Sequence, residues 1–232
     1  MDEPDFQVVR YNANGTLDLS FHADIVVSLT AARNVVLQPN GAIVASGEPI
    51  GTSTRTFIAR YHPNGGLAAS FGVEGRLTLS DMRVGEGLAL QGDGKLVLVG
   101  SIGDVPSTRF AVRRLQADGS PDTTFGAGGT VTTDLTGRGD AANAVALQGD
   151  GKIVVAGISN RQGNFDFGLA RYNIDGPLDT TFAGIGGGKL TIDFFRFDDI
   201  GESVAVQPDG KIVIGGLARN LVDGYGVARV FP

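Results

Sequence analysis

Four acidic side chains fall close together near the C-terminal end of the sequence: Asp193, Asp198, Asp199 and Glu202, around Phe194-Phe195-Arg196-Phe197. Grouped carboxylates suit a hard cation such as Ca²⁺, which takes oxygen ligands, or a small polar ligand. The patch is the least repetitive acidic group in the chain, so it is the first candidate for a ligand or ion site. The many Asn/Asp-Gly pairs also invite a calcium reading. Each offers only one or two acids without the spaced run of an EF-hand, and turn formation alone explains Asp before Gly. Beyond a Ca²⁺ ion at the acidic patch, no cofactor is expected.

Nucleophilic chemistry finds little support. The two histidines, His22 and His62, sit at unrelated positions, and nothing marks either as a base oriented by a buried acid. There is no Cys, which removes thiolate nucleophiles, thiolate metal sites and disulfides. The Gly-rich stretches lack the Gly-Lys-Ser/Thr ending of a phosphate loop and precede no helical pattern. Gly137-Arg138-Gly139-Asp140 contains an Arg-Gly-Asp tripeptide, but it reads better as a polar turn. A net charge of −6 over 232 residues disfavours nucleic acid and anionic lipid. No apolar run approaches the roughly 20 residues of a membrane helix. Met1-Asp2-Glu3-Pro4 has neither a basic nor an apolar leader region, so an export signal is not expected within it.

The elements that must position these residues are repeats. Gln38-Pro39-Asn40-Gly41, Gln91-Gly92-Asp93-Gly94, Gln148-Gly149-Asp150-Gly151 and Gln207-Pro208-Asp209-Gly210 form one series. A second, in the same phase, begins at Arg10, Arg60, Arg114 and Arg171, passes through an Asn/Asp-Gly turn, and ends at Phe21, Phe71, Phe125 and Phe182. The expected units are partial at 1–30, whole at 31–83, 84–140 and 141–199, and partial at 200–232, all within one repeat domain, 1–232.

Within a unit, Val145 to Leu147 leads into the Asp150-Gly151 turn, then into Ile153-Val154-Val155-Ala156. Runs apolar at every position, including Leu96 to Val99 and Ile212 to Ile214, predict strands buried on both faces. A third strand places Phe110/Val112/Arg114, Phe167/Leu169/Arg171 and their counterparts on one face with period 2. A fourth short strand is expected around Leu178-Asp179-Thr180-Thr181-Phe182. Such a four-stranded meander cannot bury two apolar faces alone, so units must stack face to face. The fold class expected is all-β: a β-propeller of four repeats of about 55 residues, each a four-stranded antiparallel blade.

The string Ala144-Val145-Ala146-Leu147-Gln148-Gly149-Asp150-Gly151-Lys152-Ile153-Val154-Val155-Ala156-Gly157, with Phe167 to Gly176 and Leu178 to Phe182, resembles the bacterial delta-60 repeat, which is in turn similar to NHL-type propellers. The pattern is broken at Asn40 and Ala42, and the Leu-Asp step is lost at Leu67-Ala68. The resemblance implies an exported or cell-surface bacterial protein and carries no family-wide catalytic residues. The expected role is a non-catalytic structural or interaction scaffold with an unidentified protein or surface ligand as partner. The alternatives are a carboxylate-dependent lyase or hydrolase at the propeller mouth, and a Ca²⁺ or small-ligand module.

An Arg on a packed strand face needs an acceptor. Arg114 and Arg171 are therefore expected to be clasped by Asp122 and Asp179. The third strand is supplied twice at the termini, by Phe6 to Tyr11 and by Tyr225 to Val230. The expectation is a ring completed by terminal strand exchange, or else self-association through the terminal strands.

Overall fold

The computed structural model describes residues 8–22, 30–49, 55–161, 163–220 and 223–231. Among the described residues, fifteen strands form four antiparallel sheets. The first sheet is β1 (Thr30–Leu37), β2 (Ile43–Pro49), β3 (Thr56–Tyr61) and β4 (Arg76–Leu79), paired in that order. The second is β5 (Arg83–Leu90), β6 (Leu96–Ile102), β7 (Arg109–Leu115) and β8 (Thr130–Thr133). The third is β9 (Asp140–Leu147), β10 (Ile153–Arg161), β11 (Asn164–Tyr172) and β12 (Lys189–Ile192). The fourth has three strands: β13 (Asp199–Val206), β14 (Ile212–Arg219) and β15 (Asp223–Val230). The architecture is an all-β propeller of four blades, and the only helical element among the described residues is a single 3-10 turn at Gly184–Gly186.

The second strand of each inner sheet is apolar at successive positions because sheets cover it from both sides. Leu96, Val97, Leu98 and Val99 are fully buried, as are Ile153, Val154, Val155 and Ala156. One face of β10, carrying Ile153 and Val155, packs on Val97, Val99, Val112 and Phe125 of the second unit. The other face, Val154 and Ala156, packs with Leu169 and Phe182 against Ile212 and Ile214 of the fourth. The third strand is also buried on both faces: Ala59 and Tyr61, Ala111 and Leu115, Ala170 and Tyr172 occupy the side opposite the period-2 series.

In the third and fourth sheets the irregularity in the first strand lies opposite a glycine of the second. A register shift in β9 falls opposite Ala156/Gly157, and a Cβ on Gly157 would lie 2.0 Å from the Ala141 carbonyl oxygen. Gly216 occupies the matching place opposite the β13 bulge, 1.9 Å from the Ile200 oxygen by the same measure. Bulges of this kind bend a strand and need close backbone approach.

Two expectations are corrected. The segment Leu178 to Phe182 is a turn with one isolated bridge, Tyr172 to Leu178, and the fourth strand is the piece beyond the glycine-rich link, Lys189–Ile192 or Thr130–Thr133. Asp179 explains this: its Oδ1 accepts hydrogen bonds from the Thr181 amide (3.1 Å) and hydroxyl (2.6 Å), which curls the backbone. Nor, among the described residues, do the termini exchange strands. Tyr225 to Val230 belongs to β15, which pairs with β14 in its own sheet, while Val8 and Phe21 lie against Ile43, Ala45 and Tyr61 of the first. Phe6 lies outside the described residues. Val35 and Leu37 on β1 stay 65 % and 68 % exposed, and Tyr225 and Val227 on β15 stay 98 % and 67 % exposed, so the end sheets each keep an uncovered apolar face.

Candidate functional site

Two charged constellations, compared by their geometry, separate construction from chemistry. The first is the repeated clasp. Arg114 donates from Nε to Asp122 Oδ2 at 2.7 Å, and Arg171 to Asp179 at 2.8 Å, with all four side chains about 95 % buried or more. A lysine from the preceding turn completes each group: Lys95 Nζ lies 3.2 Å from Asp122, and Lys152 Nζ 3.1 Å from Asp179. Burial works to raise the Asp122 carboxyl, but hydrogen bonds from Thr124, Lys95 and Arg114 outweigh it and hold the group well below the usual carboxylate range. Asp179 is held equally low, chiefly by the Thr181 hydroxyl.

Each guanidinium also stacks on the phenylalanine that follows its clasp turn: Arg114 lies 4.5 Å from the Phe125 ring centre and Arg171 4.7 Å from Phe182. Arg114 Nη1 donates onward to the Ile174 carbonyl in the next unit, as Arg60 does to Ala117. The clasp is therefore a joint between units as well as a lock within one.

The second constellation occurs once among the described residues. Carboxylate oxygens of Asp166, Asp193 and Asp199 all lie within 4.8 Å of one another. Three elements bring them together: β11 carries Asp166, the link after β12 carries Asp193, and β13 opens with Asp199. The pairing of Phe167 with Ile192 sets Asp166 beside Asp193. Asp199 is fully buried and accepts the amides of Phe194 (2.8 Å) and Arg219 (3.1 Å). Asp193 accepts the Arg196 amide at 2.5 Å and is exposed on its other side. Asp166 is 4 % exposed and lines a cavity of about 380 Å³ together with Arg161, Asn164, Asp193 and Arg196. Burial, then the charges of Asp193 and Asp199, push its carboxyl above the ordinary aspartate value.

The β-propeller description "domain of unknown function (DUF5122)" matches residues 1–21, 38–71, 91–125, 148–182 and 207–231, well over half of the chain. The chain belongs to the DUF5122 β-propeller family. Each matched segment within this propeller that runs to completion starts at the turn Gln and ends at the clasp Phe. No curated protein matches the sequence. Among solved structures, a protein of unknown function from Bacteroides caccae is similar with a TM-score of 0.51 at 10 % identity, over 90 % of this chain and 63 % of that one. A protein provisionally described as a gluconolactonase gives 0.48 at 13 %, over 95 % and 66 %. The first likeness concerns the fold alone, and this chain spans under two thirds of the length of either structure.

Set against the DUF5122 segments, the acidic residues divide. Asp166 lies inside a matched segment, whereas Asp193, Asp198, Asp199 and Glu202 lie in the connection between two of them. The structure joins Asp193 and Asp199, adds Asp166, and places the other two elsewhere. Asp198 accepts the Phe165 amide at 3.0 Å and lies 3.5 Å from an Arg219 guanidinium nitrogen, and Glu202 is an exposed residue of β13. The acid of the Arg-Gly-Asp tripeptide, Asp140, is fully buried and accepts the Leu135 amide at 2.7 Å, so the tripeptide cannot be presented as a ligand. His22 and His62 are exposed in turns.

Proposed function

We propose that this DUF5122 propeller is a non-catalytic structural and interaction module of an exported bacterial protein, and that its end sheets associate with further units of the same kind. The likeness of its repeats to delta-60 repeats supports the exported, surface-associated setting. The observation that carries the reading is the state of the two ends. At every inner junction the second and third strands of one unit cover the first and second strands of the next. At the first sheet, residues 8–22 cover only part of that face. A groove of about 470 Å³ lined by Val8, Val35, Leu37, Ile43 and Ala45 is left beside them. At the last sheet, Tyr225 and Val227 occupy the positions that Phe167 and Leu169 use to cover a following unit, and they are exposed. Apolar faces of this kind mark association surfaces.

A second copy seated last sheet on first sheet would place β15 where residues 8–10 lie, so association involves local strand replacement. The contact is heterologous, joining different faces of the two copies. Light scattering over a concentration series tests it with Leu37→Asp and Val227→Asp. The wild type should assemble and each variant alone should stay monomeric. An equimolar mixture of the two should stop at dimers, because one intact first face meets one intact last face. A wild type that is monomeric at every concentration removes the association reading.

A further inference from the structure

The three-carboxylate cluster has an internal control elsewhere in the same chain. At the junction between the second and third units, the position of Asp166 is taken by Arg109, which lies 3.9 Å from Asp134. Asp134 in turn matches Asp193, and Asp140 matches Asp199. Both conserve the same work in their loops: Asp134 accepts the Gly137 amide as Asp193 accepts that of Arg196, and Asp140 accepts the Leu135 amide as Asp199 accepts that of Phe194. At the first junction the corresponding residues are Arg55, Ser80 and Arg83. Blade construction therefore requires neither a carboxylate at position 166 nor three of them together. Of the three junctions, only the last replaces a neutralising arginine with a third acid.

Asp166 is also the one member of the cluster with no structural task. It is buried to 96 % and, among the described residues, accepts no hydrogen bond and forms no ion pair, while its carboxylate faces the cavity and the other two acids. An ionised buried carboxylate without a hydrogen-bond donor or counter-charge is costly, and a bound cation removes that cost. Oxygens opposed across a calcium ion, at about 2.3–2.6 Å each, stand about 5 Å apart, so the spread of these three oxygens fits one ion. Arg161 and Arg196 border the cavity, and neither forms an ion pair with the cluster among the described residues. They are the competing neutralisers.

We propose that Asp166, Asp193 and Asp199 bind a single divalent cation of the calcium type, with water or backbone oxygens filling its remaining positions. Asp166 belongs to the third blade and Asp199 to the fourth, so the ion would staple the two blades through the intervening link. The site has no counterpart at the other two junctions, which gives one ion per chain.

Calorimetry and thermal melting of the full chain, with Ca²⁺ as the probe, test this. Titration should reach about 10 mM, above the ~10⁻⁴–10⁻³ M range of extracellular calcium modules. The wild type should show one saturable site and a rise in melting temperature with Ca²⁺, reversed by chelator. Asp166→Asn should lose both responses. Asp166→Arg, which copies the arrangement at Arg109, should lose them while keeping a cooperative melt. Asp134→Asn at the neighbouring junction should retain both. Absence of saturable Ca²⁺ binding in the wild type, or binding that survives in Asp166→Arg, overturns the proposal and leaves Arg161 and Arg196 as the counter-charges.

Discussion

Arg114 Nε and Asp122 Oδ2 meet at 2.7 Å at a joint where the same arginine also reaches the next unit's turn. Because both side chains are almost completely buried, removing the acid leaves a guanidinium without its main acceptor. Loss of one partner of a buried pair costs about 3–5 kcal/mol. Asp122→Ala should lose stability on that scale in denaturant titration, and Asp179→Ala the same. A loss below about 1 kcal/mol would mean that the Ile174 carbonyl and the Phe125 ring suffice to hold Arg114.

The first unit shows which residues the clasp requires together. It carries Ala42 where Lys95 and Lys152 stand, and Ala68 where Asp122 and Asp179 stand, both buried. The acid and its ammonium partner are absent together here, and among the described residues Arg60 Nε is buried with no hydrogen-bond partner. Introducing Ala68→Asp together with Ala42→Lys should show favourable coupling of about 0.5–3 kcal/mol in a double-mutant cycle. Additive effects would show that the lysine is incidental to the clasp.

The same carboxylates dictate the acid response. Asp122 and Asp179 have folded-state pKa values depressed well below the ordinary 3.8. A depressed carboxyl adds stability that is complete above its unfolded pKa and is lost as pH falls through its folded one. Stability should therefore hold down to about pH 4 and decline below it. The combined variant Asp122→Asn/Asp179→Asn should be weaker at neutral pH and flatter below pH 4. Parallel pH curves for variant and wild type would remove the clasp from acid unfolding.

Burial in the core of the stack gives a separate scale. Ile153 is fully buried between the second and third units, packed with Val97 and Val112. Ile153→Ala should cost about 2–5 kcal/mol through lost transfer energy and the cavity left behind. A cost well under that range, read from the denaturation midpoint, would indicate that neighbouring blades can close over the gap.

How much of this was legible in the sequence depended on chain distance. Repeat phase and the Arg-Asp spacing of eight residues are local patterns that the structure retains, and the second strands of the inner sheets are buried on both faces, whereas in the last sheet Val213 is only half-buried. The fourth strand was misplaced because Leu-Asp-Thr-Thr-Phe is rich in strand-favouring residues, whereas the Asp side chain bonds its own backbone neighbours and makes a turn. The lysine partner was hidden by distance: Lys95 and Asp122 come from different hairpins, and only the stacking of turns joins them. Asp166 was missed for the same reason. It stands alone in a strand of mixed polarity, and only the β11–β12 register sets it beside Asp193. The exposed ends were legible as an excess of third strands, but which piece would take the place could not be read from pattern alone.

Asp166 should behave oppositely to the clasp acids. Its pKa is raised, first by burial and then by Asp193 and Asp199. A carboxyl with a raised folded-state pKa binds its proton more readily in the folded protein. Its ionisation therefore subtracts stability, fully above the folded pKa and not at all below the unfolded one. In chelator at neutral pH, Asp166→Asn should melt higher than the wild type, since the amide removes the uncompensated charge. Lowering the pH should narrow that gap as the wild-type carboxyl takes up a proton, and the two curves should converge near pH 4, close to the ordinary aspartate value. With Ca²⁺ present at neutral pH the order should shrink or reverse, because only the wild type gains from the ion. If Asp166→Asn melts lower than the wild type in chelator, the carboxylate is already satisfied by the arginines around the cavity, and the charge conflict assigned to this junction does not exist.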